Sequence, residues 1–120
     1  RLEELMSDSE IKEIQWTIHT THPTLVPVVR EKLAEVVDPE IGMNIIQLGL
    51  IRDVVIENDI ARLKMILTTP FCPYGPAMIE MTKAKAVEGL NMPVTIEMGM
   101  EMWDFSMMED PSALDWGMYA

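Results

Sequence analysis

Apolar residues in the first third of the chain recur every three or four positions. Leu2, Leu5 and Met6, then Ile11, Ile14 and Ile18, share one helical face, with Ser7 or Asp8 placed to cap a helix entering at Ser9 and Glu10. "HTTHP" breaks it, because Pro23 restricts His22. From Thr24 to Val37 a second stripe (Leu25, Val28, Val29, Leu33, Val36, Val37) predicts another helix, with Pro27 tolerable only in the first turn. Pro39 ends it by pushing Asp38 out of the α region, and "DPEIGMNIIQLGL" reads as an irregular stretch hinged at Gly42 and Gly49.

The period then changes to two. Ile51–Glu57 and Ile60–Thr69 read as strands joined by a tight turn at Asn58-Asp59, with Ala61, Leu63, Met65 and Leu67 on one face. Pro76–Glu88 predicts a helix with proline at its start and Gly89 near its end, its inward face Ile79, Ala86, Val87 and Leu90. Val94–Met100 alternates cleanly as a strand, and "EMGMEM" sets Met98, Met100 and Met102 on one side. That spacing is read as a buried face; the sharper alternative is a thioether set for Cu(I). A last short helix would be capped at Asp110, start at Pro111 and close at Gly117. Helix, hairpin, helix, strand and tail, in that order, predict an α/β (α+β) two-layer fold. Its small mixed three-stranded sheet carries helices on one face, in the order α-β-β-α-β.

With 120 residues and 48% hydrophobic content, the chain has material for one core. The formal net charge of −11, with no basic patch, argues against nucleic acid as a partner. The opening "RLEELMSDSE" is acidic and has no apolar stretch of the signal-peptide kind, and no apolar run approaches the ~20 residues of a membrane span. A cytoplasmic protein without a membrane partner is expected. The single cysteine excludes an internal disulfide and a closed zinc site. Twelve methionines suit a plastic core.

That cysteine, Cys72, stands in "LTTPFCPYGP" among Pro70, Pro73 and Pro76, just ahead of the predicted helix. A thiol at a helix N-terminus gains thiolate character, the form that binds metal or attacks electrophiles. A small buried hydrophobe is the equally admissible reading. A cysteine hydrolase would need a base; only His19 and His22 exist, both in the N-terminal segment, and nothing links them to Cys72. As an H-x-x-H pair they lack a third ligand and are read as loop residues. In "DPEIGMN", Asp38 before proline is read as a turn former accepting backbone N–H groups and Glu40 as solvated. The alternative is a carboxylate pair that orients a partner or ligates a hard metal.

Taken together, "DPEIGMNIIQLGLI", a hairpin, "MILTTPFCPYGP", a helix and "VTIEM" resemble the PaaD-like and SufT family of iron–sulfur cluster assembly proteins, over about Thr24 to Gly117. The family's Asp-Pro-Glu falls on Asp38, Pro39 and Glu40, its Leu-Gly-Leu on Leu48, Gly49 and Leu50, its Thr-x-x-x-Cys-Pro on Thr68, Cys72 and Pro73, and its tryptophan on Trp103. Met102 stands where relatives often have proline, and "SALDWG" where they have an arginine. The resemblance implies a NifU-C-terminal-like domain over residues 24–120 behind an N-terminal helical extension at 1–23. It further implies a non-enzymatic auxiliary factor for iron–sulfur cluster assembly or transfer. An iron–sulfur cluster would be held transiently and shared, with Cys72 as thiol or metal ligand and Asp38, Glu40, Thr68, Pro73 and Trp103 in support. Partners would be client iron–sulfur apoproteins and the assembly machinery. Since a cluster takes about four ligands, a homo-oligomer is expected. Two rival readings are an accessory maturation protein of a multicomponent aromatic ring oxygenase or epoxidase, of PaaD type, and a protein-binding adaptor whose cysteine is structural. A KH-like RNA-binding domain shares the element order, but the charge and the lack of a basic G-x-x-G loop count against it.

Overall fold

Asn58 and Asp59 both adopt positive φ, 53° and 61°, the left-handed pair that a two-residue type I′ turn requires. That turn sets the register of an antiparallel hairpin between β1 (Ile51–Glu57) and β2 (Ile60–Met65), pairing Glu57 with Ile60, Ile56 with Ala61 and Val54 with Leu63. The computed structural model describes residues 13–69 and 73–109. Before the hairpin lie α1 (Ile18–Thr21), a 3-10 turn at Pro23–Leu25, α2 (Val26–Leu33) and α3 (Ile45–Leu48). After it come α4 (Gly75–Leu90), β3 (Val94–Met98) and a 3-10 turn at Phe105–Met107.

The crossover through α4 brings β3 alongside β2 in parallel, Leu63 opposite Ile96 and Met65 opposite Met98, so the sheet order is β1-β2-β3. This is the small mixed sheet expected from the pattern. Its inner face carries Val54, Ala61, Leu63, Met65 and Val94, all buried; its outer face carries Asp53, Arg62, Lys64, Thr95 and Glu97. One face packs on the core and the other meets water, the usual economy of a two-layer domain.

α4 buries Met78, Thr82, Ala86 and Leu90, a ridge of strict four-residue spacing. The expected inward face is therefore corrected: Ala86 and Leu90 belong to it, Ile79 is half-buried and Val87 is 39% exposed. Thr82 hid the ridge, because it reads as polar; inside, its hydroxyl donates to the Met78 carbonyl at 2.7 Å and is satisfied there. α2 lies against α4, tied at its rim by Lys85–Glu35 at 2.6 Å.

α2 is shorter than its apolar stripe suggested. Its end tightens through Glu35 N–H to Lys32 and Val36 N–H to Leu33, after which Val37 pairs with Asn44 in an isolated antiparallel bridge. Val28 and Val37, placed on the inward stripe by sequence, are exposed. The expected long first helix is also corrected over the described part: residues 13–16 are irregular and only Ile18–Thr21 is helical. Its start, and the tail helix after Asp110, lie outside the described residues. The stretch read as irregular contains α3, whose N-cap Asn44 accepts from Gln47 N–H while Gln47 reaches back to the Asn44 N–H. That reciprocal box was written in the sequence as Asn-x-x-Gln.

Trp16 and Ile18 sit in the same core as the sheet and helices. The Trp16 indole N–H donates to the Ile51 carbonyl at 3.0 Å, and Thr17 donates from backbone and hydroxyl to Asp53. Glu109, nearly buried, accepts both Arg30 Nη1 (2.9 Å) and Nη2 (2.5 Å) and the Ile14 N–H (3.1 Å). That pairing holds the Arg30 guanidinium above its ordinary pKa and fastens both ends of the described chain to α2. Among the described residues no helix is long and apolar enough to cross a membrane.

Candidate functional site

Pro39 obliges the chain to turn after Asp38, and Asp38 organises the turn. Its carboxylate Oδ1 accepts the N–H groups of Glu40 (2.9 Å) and Ile41 (3.3 Å). Its own N–H and C=O bond to Met43 and Gly42, closing the loop on itself. Asp38 is fully buried, which a carboxylate tolerates only when its lone pairs are occupied. The remaining oxygen, Oδ2, accepts the hydroxyl of Thr68 at 3.3 Å. Two motifs thirty residues apart are thus joined through one buried side chain. Glu40, beside it in sequence, is exposed.

Thr68 lies on the segment that leaves β2 and leads towards α4. Pro70, Phe71 and Cys72 fall outside the described residues. The two ends of that segment are close: a Cβ on Gly75 would stand 2.9 Å from Leu67 Cδ1, so the start of α4 sits directly against the end of the strand region. Pro73 is exposed, Tyr74 is the N-cap without a side-chain capping bond, and Pro76 occupies the first turn. The first N–H groups of α4 therefore have no side-chain acceptor from the cap.

On the other side of the same end of the sheet the chain leaves β3. Gly99 N–H makes the last rung, to Met65 O at 2.8 Å, and the chain then turns outward. A groove of about 390 Å³ opens there, walled by Ile66, Leu67 and Thr68 after β2 and by Met98, Gly99, Met100, Glu101, Met102 and Trp103 after β3. Its position is at the carboxyl ends of two parallel strands. The expected buried methionine face is corrected here: β3 stops at Met98, and Met98, Met100 and Met102 are 44%, 96% and 79% exposed. Period-two spacing continued past the strand, but the rungs that would bury the face did not.

Trp103 closes the groove. Its indole N–H donates to the Leu48 carbonyl at 2.7 Å, at the C-terminus of α3. Next to it, α3 ends at Gly49, φ +73°, where a Cβ would overlap the Met107 carbonyl oxygen. Asp104 accepts the Ser106 N–H at 2.7 Å and the Ser106 hydroxyl, and these bonds hold its carboxyl below its ordinary pKa. Of the residues singled out from sequence, Asp38, Thr68 and Trp103 gather at this end of the molecule. Pro73 marks the start of α4, and Glu40 rides on the Asp38 turn.

The histidines are engaged elsewhere. His19 Nδ1 accepts the Trp16 N–H at 2.9 Å, which leaves Nε2 protonated and donating to Glu13 at 2.9 Å. His22 Nδ1 pairs with the Thr21 hydroxyl. Among the described residues no group of three His, Cys, Asp or Glu side chains is placed to hold a metal ion. The donors lining the groove are Thr68, the Glu101 carboxylate and the methionine thioethers; Cys72 is the chain's one thiol.

Fold and site define a small two-layer α+β domain in which Thr68, after β2, is keyed to the buried Asp38 carboxylate of the Asp-Pro-Glu turn. The profile of the family described as iron–sulfur cluster assembly protein matches residues 28–98, and the chain belongs to that family. It is 40% identical over 52 residues to the Fe-S protein maturation auxiliary factor YitW of Bacillus subtilis, covering 42% of this chain and 51% of the relative. To the auxiliary factor SufT of Staphylococcus aureus it is 37% identical over 54 residues, 44% and 61% of the two chains. To the Fe-S protein maturation auxiliary factor of Porphyromonas gingivalis it is 34% identical over 91 residues, 71% and 84%. The match thus spans roughly half to three fifths of the first two relatives. The solved DUF59 domain from Bacillus anthracis shares the fold, with a TM-score of 0.70 at 22% identity over 82% of this chain and 96% of that one. The conserved hypothetical protein TM0487 from Thermotoga maritima gives 0.62 at 26% identity over 76% and 92%.

Proposed function

We propose that this protein is a cytoplasmic auxiliary factor in the maturation of iron–sulfur proteins, acting by binding and handing over a cluster rather than by catalysing a reaction. The observation that supports it most is the Asp38–Thr68 hydrogen bond, which ties the two family motifs together at the base of the Cys72 segment. Relatives named as maturation factors point the same way. In this reading Cys72 supplies one thiolate to a cluster whose other ligands come from a second copy, a carrier or the client. Asp38, Thr68, Pro73 and Trp103 hold the segment, and Glu40 faces the partner. One thiolate gives a labile bond set, which suits transfer and not storage. The cluster-bearing species is then a homo-oligomer or a complex with an external thiol donor.

Anaerobic reconstitution with iron and sulfide, followed by absorption and Mössbauer spectra, tests this. The wild type should gain sulfide-to-iron charge-transfer absorption, and Cys72→Ala should gain none. Equal spectra from both proteins would remove Cys72 from the mechanism.

A further inference from the structure

Among the described residues β3 is an edge strand, with no strand paired to its outer rim. Pro93 C=O accepts from Ala61 and Gly99 N–H donates to Met65, so both ends of β3 are anchored to β2. Backbone direction alternates along a strand, so Thr95 and Glu97 face β2, whereas Val94, Ile96 and Met98 turn their N–H and C=O groups away from the sheet. Among the described residues no backbone group pairs with them. At the opposite edge, the start of β1 is met by Trp16, which donates to the Ile51 carbonyl, and by Thr17, which donates to the Asp53 side chain. At the carboxyl end of β3 lies the groove, with the exposed thioethers of Met98, Met100 and Met102. Soluble proteins blunt exposed edges and rarely set bare apolar side chains beside them. Methionine is the side chain that adapts to partners of different shape.

The charge says what sits there. From Val94 to Asp104 the chain carries Glu97, Glu101 and Asp104 and no cation. Arg52 stands 3.6 Å from Glu101, and Lys64 neighbours Glu97 in register, so the local excess is modest, but its sign matches the whole-chain charge of −11. A second copy would add the same acids and another −11. A partner of opposite sign is drawn in. We propose that the open edge of β3 and the methionine groove at its carboxyl end dock an extended segment of a client or delivery protein by strand addition, its end carrying apolar side chains into the groove and its Lys or Arg side chains facing Glu97 and Glu101. Only the partner's naming as client or delivery protein rests on the assembly reading; the docking itself does not.

The probe is a capped peptide of about eight residues alternating leucine and lysine, titrated into the full chain labelled with ¹⁵N and with ¹³C at the methionine methyl groups. Shifts should concentrate at Val94, Ile96 and Met98 and at the methyl groups of Met100 and Met102. The same peptide N-methylated at alternate amides keeps charge and side chains but cannot pair as a strand; it should bind at least about tenfold more weakly. Met100→Ser with Met102→Ser, both exposed and so harmless to folding, should weaken binding by a similar factor. Cys72→Ala should bind like the wild type. A reconstitution failure with peptide binding intact would therefore sink the cluster role and leave the docking site standing. Equal binding of the methylated and unmethylated peptides would show charge adsorption only and overturn the proposal. So would shifts away from β3, or β3 shifts that follow the protein's own concentration, which would make a second copy the occupant.

Discussion

Asp38 is the residue on which the site's geometry turns. Its carboxylate closes its own turn through Glu40 and Ile41 and holds Thr68 from the far motif, all without solvent. Asp38→Ala leaves the Thr68 hydroxyl and the turn N–H groups without their acceptor and should cost about 2–3 kcal/mol. Glu40→Ala, at an exposed position, should stay within about 0.5 kcal/mol. Urea midpoints at constant m-value decide this; equal midpoints would show that the carboxylate of Asp38 adds nothing to the turn. The turn role of Asp38 could be read from the sequence, because proline after aspartate has a local signature. Its bond to Thr68 could not, since nothing local links positions 38 and 68 except the fold.

At the scale of elements, α3 is short and depends on its ends. It opens with the Asn44–Gln47 box and closes at Gly49, whose positive φ and contact with the Met107 carbonyl leave no room for a side chain. Gly49→Ala should cost at least about 2 kcal/mol, from left-handed strain plus overlap with backbone that cannot step aside. Thermal unfolding checks it, and an unchanged midpoint would mean that the Phe105–Met107 turn moves freely off α3. The hairpin and the α4 crossover were legible because each has a local code: a two-residue turn, a proline start and a change of period. The methionine run misled because alternation marks a strand face only where neighbouring strands continue, and here the sheet ends at Met98. α4's ridge was misplaced by one residue because a threonine that satisfies itself on Met78 reads as polar.

At the scale of the molecule, the described chain is closed by a contact between residues 79 apart in sequence, Arg30 and Glu109. Glu109 also takes the Ile14 N–H, so one carboxylate holds the start of the described chain, α2 and the segment after Trp103. Breaking one partner of a nearly buried pair leaves the other charge stranded; Glu109→Ala should cost about 3 kcal/mol, more than Glu13→Ala at the same arginine, whose pairing is longer and exposed. Chemical denaturation of the two variants compares them directly, and equal losses would contradict the clamp. No periodicity or motif announces such a pair; only the packed fold brings it together. The Glu109 N–H also donates to the Gln47 carbonyl, so the same segment that carries Trp103 is tied to α3 at both places.

The proposed role requires that this frame present one working thiolate for cluster transfer. The measurement that reaches it most directly is the total activity of iron–sulfur enzymes in a strain lacking the gene, complemented with wild type or Cys72→Ala at matched protein levels. Cys72→Ala, folded as stably as the wild type within about 1 kcal/mol, should restore no more activity than the empty vector. Full restoration by Cys72→Ala would contradict it and return the thiol to a packing role.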